Sequence, residues 1–324
     1  MKISLLGPSG SYTEKAANQF FSNPKHGVSP EFIYQSAIES TVLGLFKDES
    51  ERADFAVIPI ENSIEGAVGI SMDLLLEKEV VIAAEIVLPI SHCLLISKNA
   101  AEDSDFSLDD ICCVYSHSQA LYQCRSFIRD NLKNARLSET ESTSKAALIV
   151  SDANDGSVGN SGSFDSAGHK SVSAAIASAE AGEKYGLKAV RCGIQDNIAN
   201  FTRFAVLARS DAPIQNAAAF LSGDFLSKND DGSTCLKTSL VFSPTHDKPG
   251  ALFHILEIFY LRQINLTRIE SRPSKKALGE YYFYIDLEGT PADKDVAEAL
   301  SQVSEKASKI KILGTYGKIS STSR

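Results

Sequence analysis

Nowhere in the 324 residues is there an apolar run approaching the roughly 20 needed to cross a bilayer as a helix. The amino-terminal segment Met1-Lys2-Ile3-Ser4-Leu5-Leu6-Gly7-Pro8 is also too short in apolar residues for a secretory signal and passes straight into a strand-and-turn pattern. Positive charge is in deficit. With 32 Lys and Arg against 41 Asp and Glu the chain carries −9 at neutral pH, which argues against a nucleic-acid surface built from clustered cations and against docking to an anionic membrane. An anionic ligand would have to be met by a local pocket, not by the field of the whole molecule. The six cysteines, Cys93, Cys112, Cys113, Cys124, Cys192 and Cys235, form no Cys-x-x-Cys pair and no grouping with the six scattered histidines. They read as reduced core residues of a cytoplasmic protein, and neither a metal nor a cofactor is expected.

What is present is ordinary for a globular protein: 43% apolar and 23% charged residues, and length for two or three domains. Ile3 to Leu6 reads as a strand, Gly7-Pro8-Ser9-Gly10 as a turn, and Ser11 with Glu14 three residues on as the capping box of a helix to about Phe21. The turn lacks the third glycine of a dinucleotide fingerprint, although small residues at a helix N-terminus leave backbone N–H groups for an anion. A strand near Phe32 to Tyr34, a helix near Ala37 to Phe46 and a strand Phe55 to Ile60 continue an alternating β/α pattern. The last ends in Glu61-Asn62-Ser63-Ile64-Glu65-Gly66, at the carboxyl end of a strand, where open α/β sheets collect ligands.

Val80 to Ser97 reads as two strands leading into a second lobe, with His92 a core or hinge histidine. Strand Ile111 to Tyr115 precedes Ser116-His117-Ser118-Gln119-Ala120-Leu121, and Gln119 and Gln123 share a helix face. His117 beside Ser116 has no identifiable carboxylate partner, which argues against a nucleophilic triad. Thr140 to Val150 reads as a strand end, a Ser/Thr cap and a helix. Residues 151–171, rich in Ser, Gly and Asp, read as a surface loop. A strand Val172 to Ala177, a helix to Tyr185 and a strand near Val190 follow, and Ile194 to Ala208 crosses back to the first lobe. After a linker come strand 236–243, helix 249–262, strands 264–272 and 280–288, helix 293–307 and strand 310–316. That order, βαββαβ, is ferredoxin-like.

The chemistry is expected at Asn200-Phe201-Thr202-Arg203-Phe204, just before the apolar run Ala205-Val206-Leu207-Ala208. Strand alternation puts Thr202 and Phe204 on one face and Arg203 on the other or at the strand mouth. Tyr185-Gly186-Leu187, Asp196 and Thr202-Arg203-Phe204 follow the spacing of the signature of prephenate dehydratases, and Leu266-Thr267-Arg268-Ile269-Glu270-Ser271-Arg272-Pro273 resembles that family's regulatory motif. The resemblance runs from about Lys2 to Gly317.

It implies a two-lobed α/β catalytic domain of the periplasmic-binding-protein-like type II kind, followed by a ferredoxin-like ACT domain. The expected limits are 1–212 for the catalytic domain (lobe 1 about 1–80 and 194–212, lobe 2 about 81–193), 213–235 for the linker, 236–317 for the ACT domain and 318–324 for a tail. The implied reaction is decarboxylating dehydration of prephenate to phenylpyruvate by a monofunctional enzyme. Thr202 would be catalytic, with Asn62, Ser63, Ser116, Gln123, Ser178, Arg203 and Phe204 binding substrate. Phenylalanine would be the effector, at Gly250, Ala251, Leu252, Asn265, Leu266, Glu270, Ser271 and Arg272, with paired ACT domains forming a homodimer or homotetramer. Two other readings fit part of the pattern: the same scaffold acting on arogenate, and a two-lobed solute-binding protein without catalysis.

Overall fold

The computed structural model describes residues 1–22, 29–154, 171–211, 236–245, 248–275 and 279–320. Most of the loop expected at 151–171 and the whole 213–235 linker lie outside them. The first lobe contains β1 (Lys2–Leu6), α1 (Tyr12–Phe21), β2 (Glu31–Gln35), α2 (Ile38–Leu43), β3 (Phe55–Asn62), β4 (Gly66–Ala67), α3 (Gly69–Glu77) and β5 (Val80–Pro89). The second contains β6 (Cys93–Ser97), α4 (Lys98–Glu102), β7 (Ile111–Ser116), α5 (Ser118–Gln123), α6 (Arg125–Asn131), β8 (Arg136–Glu139), α7 (Thr143–Asn154), β9 (Val172–Ala177), α8 (Ala179–Lys184) and β10 (Leu187–Cys192). The chain returns through β11 (Phe201–Arg209) and ends in β12 (Leu236–Pro244), α9 (Ala251–Leu261), β13 (Leu266–Pro273), β14 (Tyr281–Glu288), α10 (Lys294–Lys306) and β15 (Ala307–Ser320).

Periodicity explains which faces are buried. In α1 the enclosed residues are Thr13, Ala16, Ala17, Phe20 and Phe21, the i, i+3, i+4, i+7, i+8 stripe of a helix lying on a sheet. That stripe packs on Ile3, Val57, Ile86 and Phe204. In α10 the same rule buries Val296, Ala299, Leu300 and Val303. Strand β11 instead buries every residue from Phe204 to Ala208, because it lies between β5 and β3 in a sheet covered on both faces.

The second lobe has its own sheet, in the order β10-β6-β9-β7-β8. The first lobe's strands run β5-β11-β3-β1-β2 and continue into the C-terminal strands β13-β14-β12-β15, because β15 pairs in parallel with β5. Two expected boundaries shift as a result. Strand β5 belongs to the first lobe, so the crossing falls at Ile90–His92 and not near residue 80. The supposed tail is sheet as far as Ser320, with Lys318 opposite Glu85. Close approach at this seam requires Gly314, where a Cβ would lie 2.3 Å from the Ile82 carbonyl oxygen.

The C-terminal unit shares a core with the first lobe. Val241, Tyr282, Tyr284, Leu313 and Tyr316 pack with Met72, Leu75, Ile82 and Leu207. Tyr284 donates to the Met72 carbonyl at 2.9 Å, and Lys311 donates to the Leu75 and Lys78 carbonyls, capping the C-terminal end of α3.

The reading of six reduced cysteines is corrected here. Cys93 and Cys192 stand opposite each other on the antiparallel strands β6 and β10 and are joined as a disulfide. Their 99-residue separation hid the pairing, since strand partnership between β6 and β10 is a tertiary fact. Cys113 and Cys124 are buried thiols and Cys112 is exposed; burial pushes the Cys124 thiol up to about 12.

Candidate active site

Between the two lobes lies a cleft of about 490 Å³. Strand β11 supplies Thr202 and Phe204 to its wall, the end of β3 supplies Asn62, α5 supplies Gln123, and the crossing segments supply His92 and Asn200. Thr202 pairs with Asn62 across β11 and β3, which sets their side chains side by side.

The hydrogen bonds orient the threonine. The Asn62 Oδ1 accepts from the backbone N–H of Ile64 at 2.9 Å and of Glu65 at 3.1 Å, so its Nδ2 must face the other way. That Nδ2 donates to Thr202 Oγ1 at 2.9 Å, to Asn200 Oδ1 at 2.9 Å and to the Phe201 carbonyl at 3.2 Å. A hydroxyl that accepts from an amide keeps its own proton, and among the described residues no protein acceptor takes the Thr202 proton. It is available to the cleft.

The chain of bonds continues inward. Asn200, fully buried, donates to Gln123 Oε1 at 2.8 Å. Because that oxygen can only accept, His92 Nε2, 3.2 Å away, donates to it, which leaves Nδ1 bare, buried and without a partner among the described residues. Burial lowers the His92 pKa, with the Gln123 bond opposing, so the ring is held neutral. His92 thus sits at the hinge and also at the foot of the site. Asn200 was named in the sequence but given no role, although its place beside Phe201 and Thr202 was the available signal.

Other expected contacts are spent elsewhere. The Ser116 hydroxyl is fully buried and donates to the Ile176 carbonyl at 2.6 Å, so it is no nucleophile and does not line the cleft. Ser178 caps α8 by accepting from Ala181 N at 3.1 Å and donates to the Gly10 carbonyl. Ser63 clasps the returning strand, donating to the Ala199 carbonyl at 3.0 Å and accepting from Phe201 N at 2.9 Å. The Gly7–Gly10 turn is partly occupied by its own helix: Glu14 accepts from Gly10 N at 2.5 Å and Ser9 Oγ at 2.9 Å.

Arg203 is the largest correction. Alternation turns it away from the cleft, toward the C-terminal unit. Its guanidinium meets Glu61 at 3.1 Å, Glu85 at 3.2 Å and Asp286 at 2.5 Å, and its side chain is 15% exposed. Lys237 meets Glu85 at 3.1 Å, Arg268 meets Glu61 at 3.1 Å, and Ser239 donates to Asp286 at 2.5 Å. Three cations thus face three carboxylates. Burial alone would raise Asp286, but Arg203, Ser239 and Arg268 hold it below the usual carboxylate range; burial alone would lower Arg203, and Asp286 with Glu85 raise it instead.

A second cavity, about 820 Å³, lies in the C-terminal unit and is lined by Gly250, Ala251 and Leu252 with Lys248, Glu280 and Lys309. Gly250 caps α9 in the left-handed region at φ 87°, which a side chain would resist. The other expected effector residues do not line it: Leu266 begins β13 opposite Leu287 with Asn265 just before it, and Glu270 and Arg272 share the less exposed face of that strand, Ser271 the exposed one. Arg272 is instead 3.3 Å from Asp73 on α3. Among the described residues no group of His, Cys, Asp and Glu could hold a metal.

Comparison with known proteins agrees with this architecture. The family model described as prephenate dehydratase matches residues 3–212, and that described as ACT domain matches 245–305. The chain is 38% identical to a bifunctional chorismate mutase/prephenate dehydratase of Aquifex aeolicus, over 98% of this chain and 74% of that protein. It is 35% identical to a prephenate dehydratase of Methanocaldococcus jannaschii, over 95% of each. The crystal structure of prephenate dehydratase from Arthrobacter aurescens in complex with L-Phe superposes with a TM-score of 0.74 at 28% identity, covering 98% of this chain and 90% of that one. With its two-lobed catalytic unit and appended βαββαβ unit, this chain belongs to the prephenate dehydratase family.

Proposed function

We propose that this protein converts prephenate to phenylpyruvate, water and carbon dioxide in phenylalanine biosynthesis. The observation that carries the reading is the orientation of Thr202, whose acceptor side is satisfied by Asn62 and whose proton faces the cleft. In the reaction the electrons of the bond to the leaving carboxylate flow into the ring, and those of the ring carbon–oxygen bond depart with the hydroxyl. The departing oxygen needs a proton or a strong donor to leave as water. Thr202 supplies it late, as charge builds on that oxygen, and solvent returns any proton transferred. Phe204 walls the ring, and the closed cleft holds the substrate in its fragmenting conformation. The change is redox-neutral and driven by aromatisation, so its chemistry requires neither metal nor cofactor.

The domain limits 1–212 and 236–320 are read as catalytic and regulatory. Phenylalanine binding beside Gly250, Ala251 and Leu252 would shift the cleft toward a less competent state. The apolar residues Phe253, Tyr260 and Leu261, spaced i, i+7, i+8 on α9 and all well exposed, suit pairing of ACT domains into a homodimer or homotetramer. A cytoplasmic location fits the pathway but sits against the Cys93–Cys192 bond, since disulfides rarely persist there; alkylating thiols in freshly lysed cells separates the two. Arogenate differs from prephenate by an amine in place of a ketone. Following phenylpyruvate absorbance after adding prephenate, beside phenylalanine formation from arogenate, tests the reading. No product from prephenate refutes it.

A further inference from the structure

Prephenate carries two carboxylates, yet among the described residues lining the cleft none is a lysine or an arginine. Arg203, the nearest cation in sequence to Thr202, is committed to three carboxylates on the opposite face, and the rim adds Glu65 and Glu141. Two helices of 10 and 12 residues, α1 and α7, direct their N-terminal turns into this space. Their first backbone N–H groups have no partner within the helix, and the macrodipole places a partial positive charge there.

Each turn also carries an enclosed residue whose hydroxyl has no protein partner among the described residues. Thr13 is 4% exposed and Ser144 1% exposed; both line the cleft, and among the described residues neither side chain makes a hydrogen bond. On α7, Ser142 takes the cap by accepting from Lys145 N at 3.1 Å, which leaves the Thr143 and Ser144 N–H groups open. On α1, Ser11 accepts from Glu14 N and Glu14 covers Gly10 N, so the open donors begin at Tyr12 and Thr13. Two hydroxyls without a protein partner, carried by otherwise buried residues on two positive helix ends and both lining one cleft, suit anionic partners.

We propose that the two carboxylates of the substrate are seated one on each helix end, with Thr13 and Ser144 donating to them, so that the dianion is held by helix N-termini and hydroxyls without a cationic side chain. This rests on the dehydratase reading above. In the full-length protein, Ser144→Ala and Thr13→Val should each raise KM for prephenate about tenfold or more while leaving kcat nearly unchanged, the size expected for a lost hydrogen bond to a charged group. Thr13→Ser should restore binding, and melting temperatures should stay near that of the parent.

Phenylpyruvate keeps only the side-chain carboxylate, so as a product inhibitor it occupies one seat. One of the two variants should therefore weaken phenylpyruvate inhibition together with prephenate binding, and the other should weaken prephenate alone. If both ligands shift alike in both variants, or neither shifts, the helix-end assignment falls while the dehydratase reading stands. A parent protein that does not consume prephenate overturns both.

Discussion

Replacing Arg203 by methionine separates the two roles open to that residue. In the structure three cations, Arg203, Lys237 and Arg268, balance three carboxylates, Glu61, Glu85 and Asp286. Methionine fills much of the volume but leaves two cations against three carboxylates, with Glu85 and Asp286 both buried. Removing one partner from a buried ion network costs about 3–5 kcal/mol, which for a chain of this size corresponds to a fall in Tm on the order of 10 °C. The Asp286 carboxyl, held low mainly by Arg203 against its burial, should rise. A carboxylate depressed in the folded state stabilises above its unfolded pKa and loses that contribution as pH falls through the folded value, so the parent's extra stability should vanish in strong acid and the variant should show less of that dependence. Thermal unfolding across pH, with steady-state kinetics on the same preparations, is the assay. A large loss of Tm with KM for prephenate nearly unchanged is expected. An unchanged Tm with a KM raised many-fold would refute the placement of Arg203 and return it to the substrate.

Asn62→Asp exchanges a donor for an acceptor in the same shape. The carboxylate would draw the Thr202 proton inward, and kcat should fall by about 10² or more, with the Ile64 and Glu65 N–H bonds kept. His92 is buried neutral with a lowered pKa, so its stabilising contribution is complete above about 6.5 and is lost as pH falls from there through the folded value; His92→Gln, which keeps a donor toward Gln123, should flatten that acid limb in denaturant melts. Tyr260→Lys on the exposed face of α9 should shift sedimentation toward smaller species and weaken the phenylalanine response without lowering basal turnover.

How much of this could be read from the chain varies with the range of the interaction involved. The capping-box spacing of Ser11 and Glu14 marked α1 to about Phe21, and local patterns likewise made the helix at 293–307 and the βαββαβ order of the C-terminal unit visible. Thr202, Asn62, Gln123 and Phe204 do line one cleft, since each sits on a motif at the end of a strand or on the helix beyond it. Long-range partnership was not visible. The face taken by Arg203 followed from alternation, but the carboxylates it meets come from β3, β5 and β14, the last of them 83 residues away. Ser116 and Ser178 carry the right residue type for substrate contact, yet neighbouring carbonyls claim their hydroxyls. Thr13 and Ser144 look like ordinary helix-start residues, and only burial without a partner distinguishes them.

The central claim is that the Thr202 hydroxyl donates to the leaving oxygen. Thr202→Val removes the hydroxyl and keeps the shape, and Asn62 Nδ2 retains Asn200 and the Phe201 carbonyl as acceptors, so folding should be little affected. Single-turnover formation of phenylpyruvate by this variant should slow by about 10²–10⁴ with prephenate binding nearly unchanged. Turnover at the parent rate would contradict the account.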